Sequence, residues 1–215
     1  MPNWCNNTLF VEGDLNALTD FKKRVLVQSD HNVGGLKFTM EELYPTPKEL
    51  LEMTSPVMWR GEDNDDDGKK EFEKYVSELT EKYGHCDWYS WRVANWGTKW
   101  DVSESDVDEM DGEALMVHYD TAWAPNDSFI KFASTVYPSL KFRLSYEEPG
   151  CGFCGVLICK DGEVEIDETA DLQWADEYDN MVEWDSEKER WFNIETKEVI
   201  DDEDFYPIPY NTFNY

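Results

Sequence analysis

The sequence predicts an α+β protein, and three observations carry that reading. Leu140, Phe142, Leu144 and Tyr146 alternate with Lys141, Arg143, Ser145 and Glu147, the period-two pattern of a half-buried strand. Residues 15–26 and 127–137 instead place apolar side chains three and four apart, the period of a helix with one buried face. The order of such stretches along the chain is strand, helix, insertion, strand, strand, helix, strand. That order is the split βαβ arrangement called ferredoxin-like. It would carry a helical insertion after the first helix and an acidic C-terminal extension.

The elements follow in turn. Residues 6–11 favour extended geometry through Thr8, Phe10 and Val11, and Gly13 and Asp14 end the strand. Asp14 is placed to cap a helix whose inner face holds Leu15, Leu18, Phe21, Val25 and Leu26. Pro45, Pro47 and Pro56 break residues 36–59 into short pieces, with two helical turns after Pro47. Residues 61–68 read as an acidic loop. Residues 69–83 read as a helix lined by Phe72, Val76, Leu79 and Tyr83 and stopped by Gly84. Residues 100–103 are expected as a strand, residues 106–112 as an acidic turn and residues 113–119 as a further strand. Pro125 and Asn126 open the second core helix, and Pro138 ends it. Residues 152–159 are apolar on both faces and read as an interior strand. Asp161 and Gly162 turn the chain into a continuing meander. The expected division is a ferredoxin-like domain over 1–160, with its insertion at about 30–95, and an acidic, aromatic-rich extension over 161–215 packed on it.

Residues 88–101 hold four of the ten tryptophans in fourteen positions. Stacking on nucleic-acid bases would need a basic surround, and only Arg92 and Lys99 lie beside the block. A packing role is therefore expected, with Trp96 and Trp100 wedged between insertion and sheet, Gly97 at a turn, and Asp101 bonded to a nearby amide or to Lys99. Four pieces, residues 1–7, 95–101, 121–125 and the pair Tyr146 and Glu147, resemble the ferredoxin-like domain family named after the plasmid protein YubB. That family is found in phages and conjugative plasmids. The resemblance spans roughly the first 160 residues. It implies a fold and a mobile-element origin, and it brings no catalytic residues with it.

The remaining chemistry is sparse. Asp63, Asp65, Asp67 and Gly68 match the first half of an EF-hand loop, but Lys74 stands where its bidentate glutamate belongs. Cys151 and Cys154, with Cys159 near, lack the second pair that a zinc site needs. In an apolar strand such cysteines act as small hydrophobes. There is no phosphate loop, nucleophile elbow or zinc-protease motif. Neither an enzyme nor a cofactor is expected. No apolar run reaches the roughly 20 residues of a membrane span, and Met1 to Cys5 do not resemble a signal peptide. Reduced cysteines and a host cytoplasmic location are the expectation.

Charge is the strongest functional feature. The net charge is -29, which repels nucleic acid and anionic lipid and favours a basic protein partner. Residues 161–204 carry 19 Asp and Glu against three Lys and Arg, a net of -16 in 44 residues. Trp174, Tyr178, Met181 and Trp184 recur among them at three- and four-residue spacing, followed by Trp191, Phe192, Val199, Ile200 and Phe205. Such aromatics can bury a face and hold the carboxylates in fixed positions. The candidate contacts are Asp176, Glu177, Asp179, Glu183, Asp185, Glu187, Asp201, Asp202, Glu203 and Asp204. The expected function is a non-enzymatic, phage- or plasmid-encoded inhibitor that imitates DNA to occupy a basic host DNA-processing or defence protein. The alternative is a structural or adaptor module whose acidity only serves solubility.

Overall fold

The computed structural model describes residues 3–29, 35–62, 65–108, 110–175, 180–187, 190–200 and 205–207. Strand β1 (Trp4–Gly13) leads into helix α1 (Leu15–Val25). Asp14 caps α1 by accepting the amides of Asn16 and Ala17 at 3.1 and 2.9 Å. An insertion then contains the short hairpin β2 (Leu26–Gln28) and β3 (Leu36–Phe38) and helices α2 (Lys48–Leu51), α3 (Asp66–Tyr83) and α4 (Trp88–Trp96). The chain returns through β4 (Ser105–Asp108), a 3-10 turn (Met110–Gly112), β5 (Ala114–Ala122), α5 (Asp127–Val136), β6 (Leu140–Glu148), β7 (Phe153–Lys160) and β8 (Glu163–Asp171). Five short strands complete it: β9 (Trp174–Ala175), β10 (Met181–Asp185), β11 (Arg190–Asn193), β12 (Val199–Ile200) and β13 (Tyr206–Pro207).

Six strands form one antiparallel sheet in the order β4-β5-β1-β6-β7-β8. Because β1 pairs antiparallel with both β5 and β6, those two strands run parallel on either side of it, joined by α5. Register aligns the apolar rows. Val117, Leu9, Leu144 and Leu157 lie across one row, and Leu115, Val11, Phe142 and Cys159 across the next. All eight belong to the main core cluster, with Leu18, Phe21 and Val25 of α1 and Phe129, Ile130 and Ala133 of α5. Phe21 meets Phe142 and Tyr137 edge-on, each at 5.3 Å. The insertion docks on α5 through Tyr44, whose ring stacks on Phe132 at 3.8 Å. Strand β7 is interior as expected, and six of its eight residues are buried.

Several boundaries differ from the sequence reading. Helix α3 begins at Asp66, before residue 69, because Asp65 caps it by accepting the Gly68 amide at 3.0 Å. One edge of the six-stranded sheet is β4 at residues 105–108, where residues 106–112 were expected to turn. Residues 100–103 form no strand, because the Asp101 carboxylate takes the amides of Met40 and Val102 at 2.8 and 2.9 Å and bends the chain there. The boundary expected at residue 160 falls inside the β7–β8 hairpin, so the first part of the acidic segment is the edge of the main sheet.

Apart from the β2–β3 hairpin, the five C-terminal strands form a second sheet in the order β12-β11-β10-β9-β13. Trp174, Met181 and Trp184 therefore sit on strands despite their spacing. Register puts Trp174, Val182, Trp184 and Trp191 on one face, and Met181, Glu183 and Phe192 on the other. The main core cluster extends from Cys5 to Cys159 and takes no described residue from this sheet. The β7–β8 ladder runs one position past Asp171, where the Leu172 amide donates to the Gly152 carbonyl at 2.7 Å, and the chain then enters β9.

Candidate functional site

The block from Asn95 to Asp101 separates into residues that hold the fold and residues that do not. Asn95, near the end of α4, donates to the Trp91 carbonyl at 2.8 Å and accepts from the Tyr44 hydroxyl at 2.6 Å. Trp96 is fully buried, and its indole N–H donates to the Tyr44 carbonyl at 3.0 Å. Gly97 ends α4 in the left-handed region at φ 90°, and a Cβ there would lie 2.6 Å from both the Pro125 carbonyl and the Asp127 carboxylate. Thr98 exchanges hydrogen bonds with both backbone groups of Ala122 at 3.2 Å. Asp101 ties the loop at Thr39 and Met40 to the block. Arg92 is also spent internally, on Glu41 at 3.1 Å and Thr46 at 2.9 Å.

Lys99 and Trp100 point outward. Trp100 was expected to pack between insertion and sheet, but it is 39% exposed, and Trp4 and Trp123 beside it are 42% and 44% exposed. Trp100 and Trp123 have ring centroids 6.5 Å apart and planes 25° from parallel. Trp4 lies 6.4 Å from Trp100. The Lys99 ammonium sits 3.6 Å from the Trp100 centroid and 3.8 Å from the Trp123 centroid. Trp123 is held at φ 68°, and its amide donates to the Asn3 carbonyl at 3.0 Å. Strand pairing explains the convergence, because Trp4 opens β1 directly opposite Ala122, the last residue of β5. Three of the sequence pieces that carried the resemblance thus meet at one end of the sheet. The signal available in the sequence was three tryptophans in separate motifs; nothing local said that they were neighbours.

The same end holds Cys5, Glu148 and Cys151. Glu148 is fully buried and accepts the amides of Gly150 and Cys151, closing the turn before β7. Burial, and next the Glu148 charge, push the Cys5 thiol up to about 12. Cys151 is raised by its hydrogen bond to Glu148 and accepts from Asn3 Nδ2 at 3.8 Å. Burial raises Cys154 to about 11, and its thiol is 3.7 Å from the Ala170 carbonyl. Raised thiols disfavour the thiolate that a metal or nucleophilic role uses. Among the described residues no group of three or more His, Cys, Asp or Glu is arranged to hold a metal ion. Of the EF-hand-like set, Asp63 lies outside the described residues, Asp65 caps α3, and Asp67 pairs with Lys70 at 3.2 Å.

Of the ten candidate acidic contacts, Asp176, Glu177, Asp179, Asp201, Asp202, Glu203 and Asp204 lie outside the described residues. Glu183 and Asp185 are on β10 and Glu187 is in the turn after it, its amide donating to Asp185 at 3.0 Å. Glu183 faces Phe192 across the strand pair, beside a groove that Trp184 and Lys197 also line. None of the ten lies on β8, where five of nine residues are acidic: Glu163, Glu165, Asp167, Glu168 and Asp171. Lys131 pairs with Asp167 and Asp127 at 3.0 Å, and Lys141 pairs with Glu165 at 3.2 Å.

Residues 95–190 match the family model described as the ferredoxin-like domain in Api92-like protein. The match begins at the first residue of the Asn95 block and continues past residue 160, through β8 and β10, where the sequence reading had ended its domain. The crystal structure of a protein api92 from Yersinia pseudotuberculosis is similar at 11% identity with a TM-score of 0.46, over 80% of this chain and 98% of that one. No curated protein matches the chain. Residues 95–190 are therefore similar to an Api92-type domain, and the chain around them is α+β with a ferredoxin-like part.

Proposed function

We propose that the protein is a non-enzymatic binding protein that captures a basic protein through its ordered carboxylates. The observation that carries this is β8, a sheet edge with five carboxylates and no basic residue in nine positions. Glu183, Asp185 and Glu187 on and after β10 add to it. A -29 chain attracts a cationic surface and speeds its approach. The finer form of the reading is a phage- or plasmid-encoded inhibitor with a split βαβ core, which imitates DNA to occupy a host DNA-processing or defence factor. Charge density bears on the finer form. At about 3.3 Å per residue, β8 presents one carboxylate per roughly 6 Å, against one phosphate per about 3.4 Å of a DNA strand. Mimicry at full density therefore needs β8 together with other acidic segments.

The adaptor reading has its own support. Two of the five carboxylates are engaged by Lys131 and Lys141, and charge on an edge strand also prevents edge-to-edge pairing. A capture experiment from a bacterial lysate, run at 50 and 200 mM salt, separates the two. The inhibitor reading expects a basic partner whose affinity falls at least a hundredfold over that range. A partner retained equally at both salts, and by a variant that joins Glu163→Gln, Glu165→Gln and Asp171→Asn on β8 to Glu183→Gln, Asp185→Asn and Glu187→Gln, favours the adaptor.

A further inference from the structure

We propose that Trp100 and Trp123 form a slot for an arginine side chain of a basic polypeptide, and that Lys99 fills the slot in the unbound molecule. The two rings are near parallel at 6.5 Å. Atoms in contact sit about 3.5 Å apart, so this spacing admits one thin group between the faces and no more. The Lys99 ammonium already occupies that position, 3.6 and 3.8 Å from the two centroids. The site is therefore shown to accept a cation, with the molecule's own lysine as the stand-in. A guanidinium is planar, stacks on aromatic faces and is more weakly hydrated than an ammonium, so it suits the slot better than the group now there. Trp4, 6.4 Å from Trp100, adds a third aromatic wall.

Two further observations point the same way. Trp123 holds its exposed indole with a left-handed backbone at φ 68°, which a bulky residue rarely adopts unless its surroundings impose it. The Asn3 carbonyl that receives its amide is part of what imposes it. The net charge of -29 favours a cationic occupant over a nucleobase carrying its phosphate. The slot shares the class of partner named under the proposed function, but it does not depend on the acidic strands.

The test uses the full chain and a small probe, N-acetyl-arginine amide, with N-acetyl-citrulline amide as the uncharged control, in 300 mM salt to screen the carboxylates. Indole N–H signals are followed by NMR and assigned from Trp100→Phe and Trp123→Phe. The arginine probe is expected to shift the Trp100 and Trp123 signals, and the citrulline probe to leave them in place. Lys99→Ala removes the competing ammonium from the slot and should tighten arginine binding at least threefold; Trp123→Ala should remove the shift at Trp100. The inference is overturned if neither wild type nor Lys99→Ala responds to arginine, if Lys99→Ala binds more weakly, or if a single-stranded oligonucleotide shifts the same signals instead. Arginine binding here with no basic partner captured from lysate would sink the proposed function and leave the slot standing.

Discussion

The two sheets use similar residues to opposite ends. In the six-stranded sheet, α1, α5 and the insertion cover one face, so Phe21, Phe38, Trp96, Phe129 and Phe142 are fully buried. In the five-stranded sheet, Trp174, Trp184 and Trp191 meet edge-on along one face, with Trp184 5.5 Å from Trp191, yet Trp184 stays 48% exposed. Only Ala175 and Val182 are buried among its described strand residues. Aromatic content alone therefore does not make a core; a covering layer does. The largest test of that difference is to remove one indole from each sheet. Trp96→Ala should cost about 3–5 kcal/mol in urea unfolding, through a large cavity and the lost bond to Tyr44. Trp184→Ala should cost about 1 kcal/mol or less. A comparable loss at both sites would show that the two sheets unfold as one unit and that the contrast is false.

The second test concerns carboxylates. Asp101 receives three backbone amides, from Met40, Glu41 and Val102, and the Thr39 hydroxyl in the main domain, whereas Glu183 is exposed on β10. Asp101→Asn should cost about 2 kcal/mol, because charge-assisted bonds are lost and an NH2 group is turned toward donors. Glu183→Gln should change stability by no more than about 0.5 kcal/mol. Thermal unfolding of both variants checks the pair; an Asp101→Asn protein as stable as wild type would remove the carboxylate as the clamp between block and insertion.

These sites also show what could be read from the chain alone. Strand β6, helix α1 and helix α5 were legible because their periodicity is local and a single face is buried. The turn at Gly97 was legible from the glycine itself, but helix α4 before it was not, because its tryptophans follow no clean one-faced period. Strand β4 was not, since Asp106 and Asp108 read as a turn until Val107 finds its row beside Val117 in the sheet. The exposed indoles were missed for a related reason. Burial of Trp100 was inferred from residue type, but Trp4 and Trp123 reach it through strand pairing across more than a hundred positions, and no window of sequence contains all three. For the acidic segment, composition showed that charge matters but not which carboxylates share a strand.

Thiol titration sharpens the comparison by pH. All five cysteines lie at or before residue 159, so the small sheet has none. Burial raises Cys5 from 9.0 to about 12, and Cys154 and Cys159 from 9.0 to about 11. The folded chain keeps these protons where the unfolded chain releases them. Stability is therefore full below pH 9 and falls as pH rises above it, with a slope approaching about 1.4 kcal/mol per pH unit for each thiol. Above pH 10, Tyr119 and Tyr146, also raised by burial, add to the same trend. Urea midpoints of the main domain should drop between pH 8 and 10, and Cys154→Ala should flatten the drop. A midpoint unchanged over that range would mean that water reaches these thiols.

The smallest effect on stability is expected at the sheet edges, and there the measurable change is elsewhere. Both edges of the six-stranded sheet carry acid: Asp106 and Asp108 on β4, and the five carboxylates of β8. Exposed ion pairs such as Lys141 with Glu165 contribute about 0–1 kcal/mol, so Glu163→Thr with Glu165→Thr should leave the unfolding midpoint nearly unchanged. The same change puts two β-formers on an unpaired edge and removes the repulsion that keeps a second copy away. Sedimentation at rising protein concentration should then show more self-association than wild type does. If the variant sediments as wild type does, edge protection is not why β8 is acidic, and the case for those carboxylates facing a basic partner gains by the elimination.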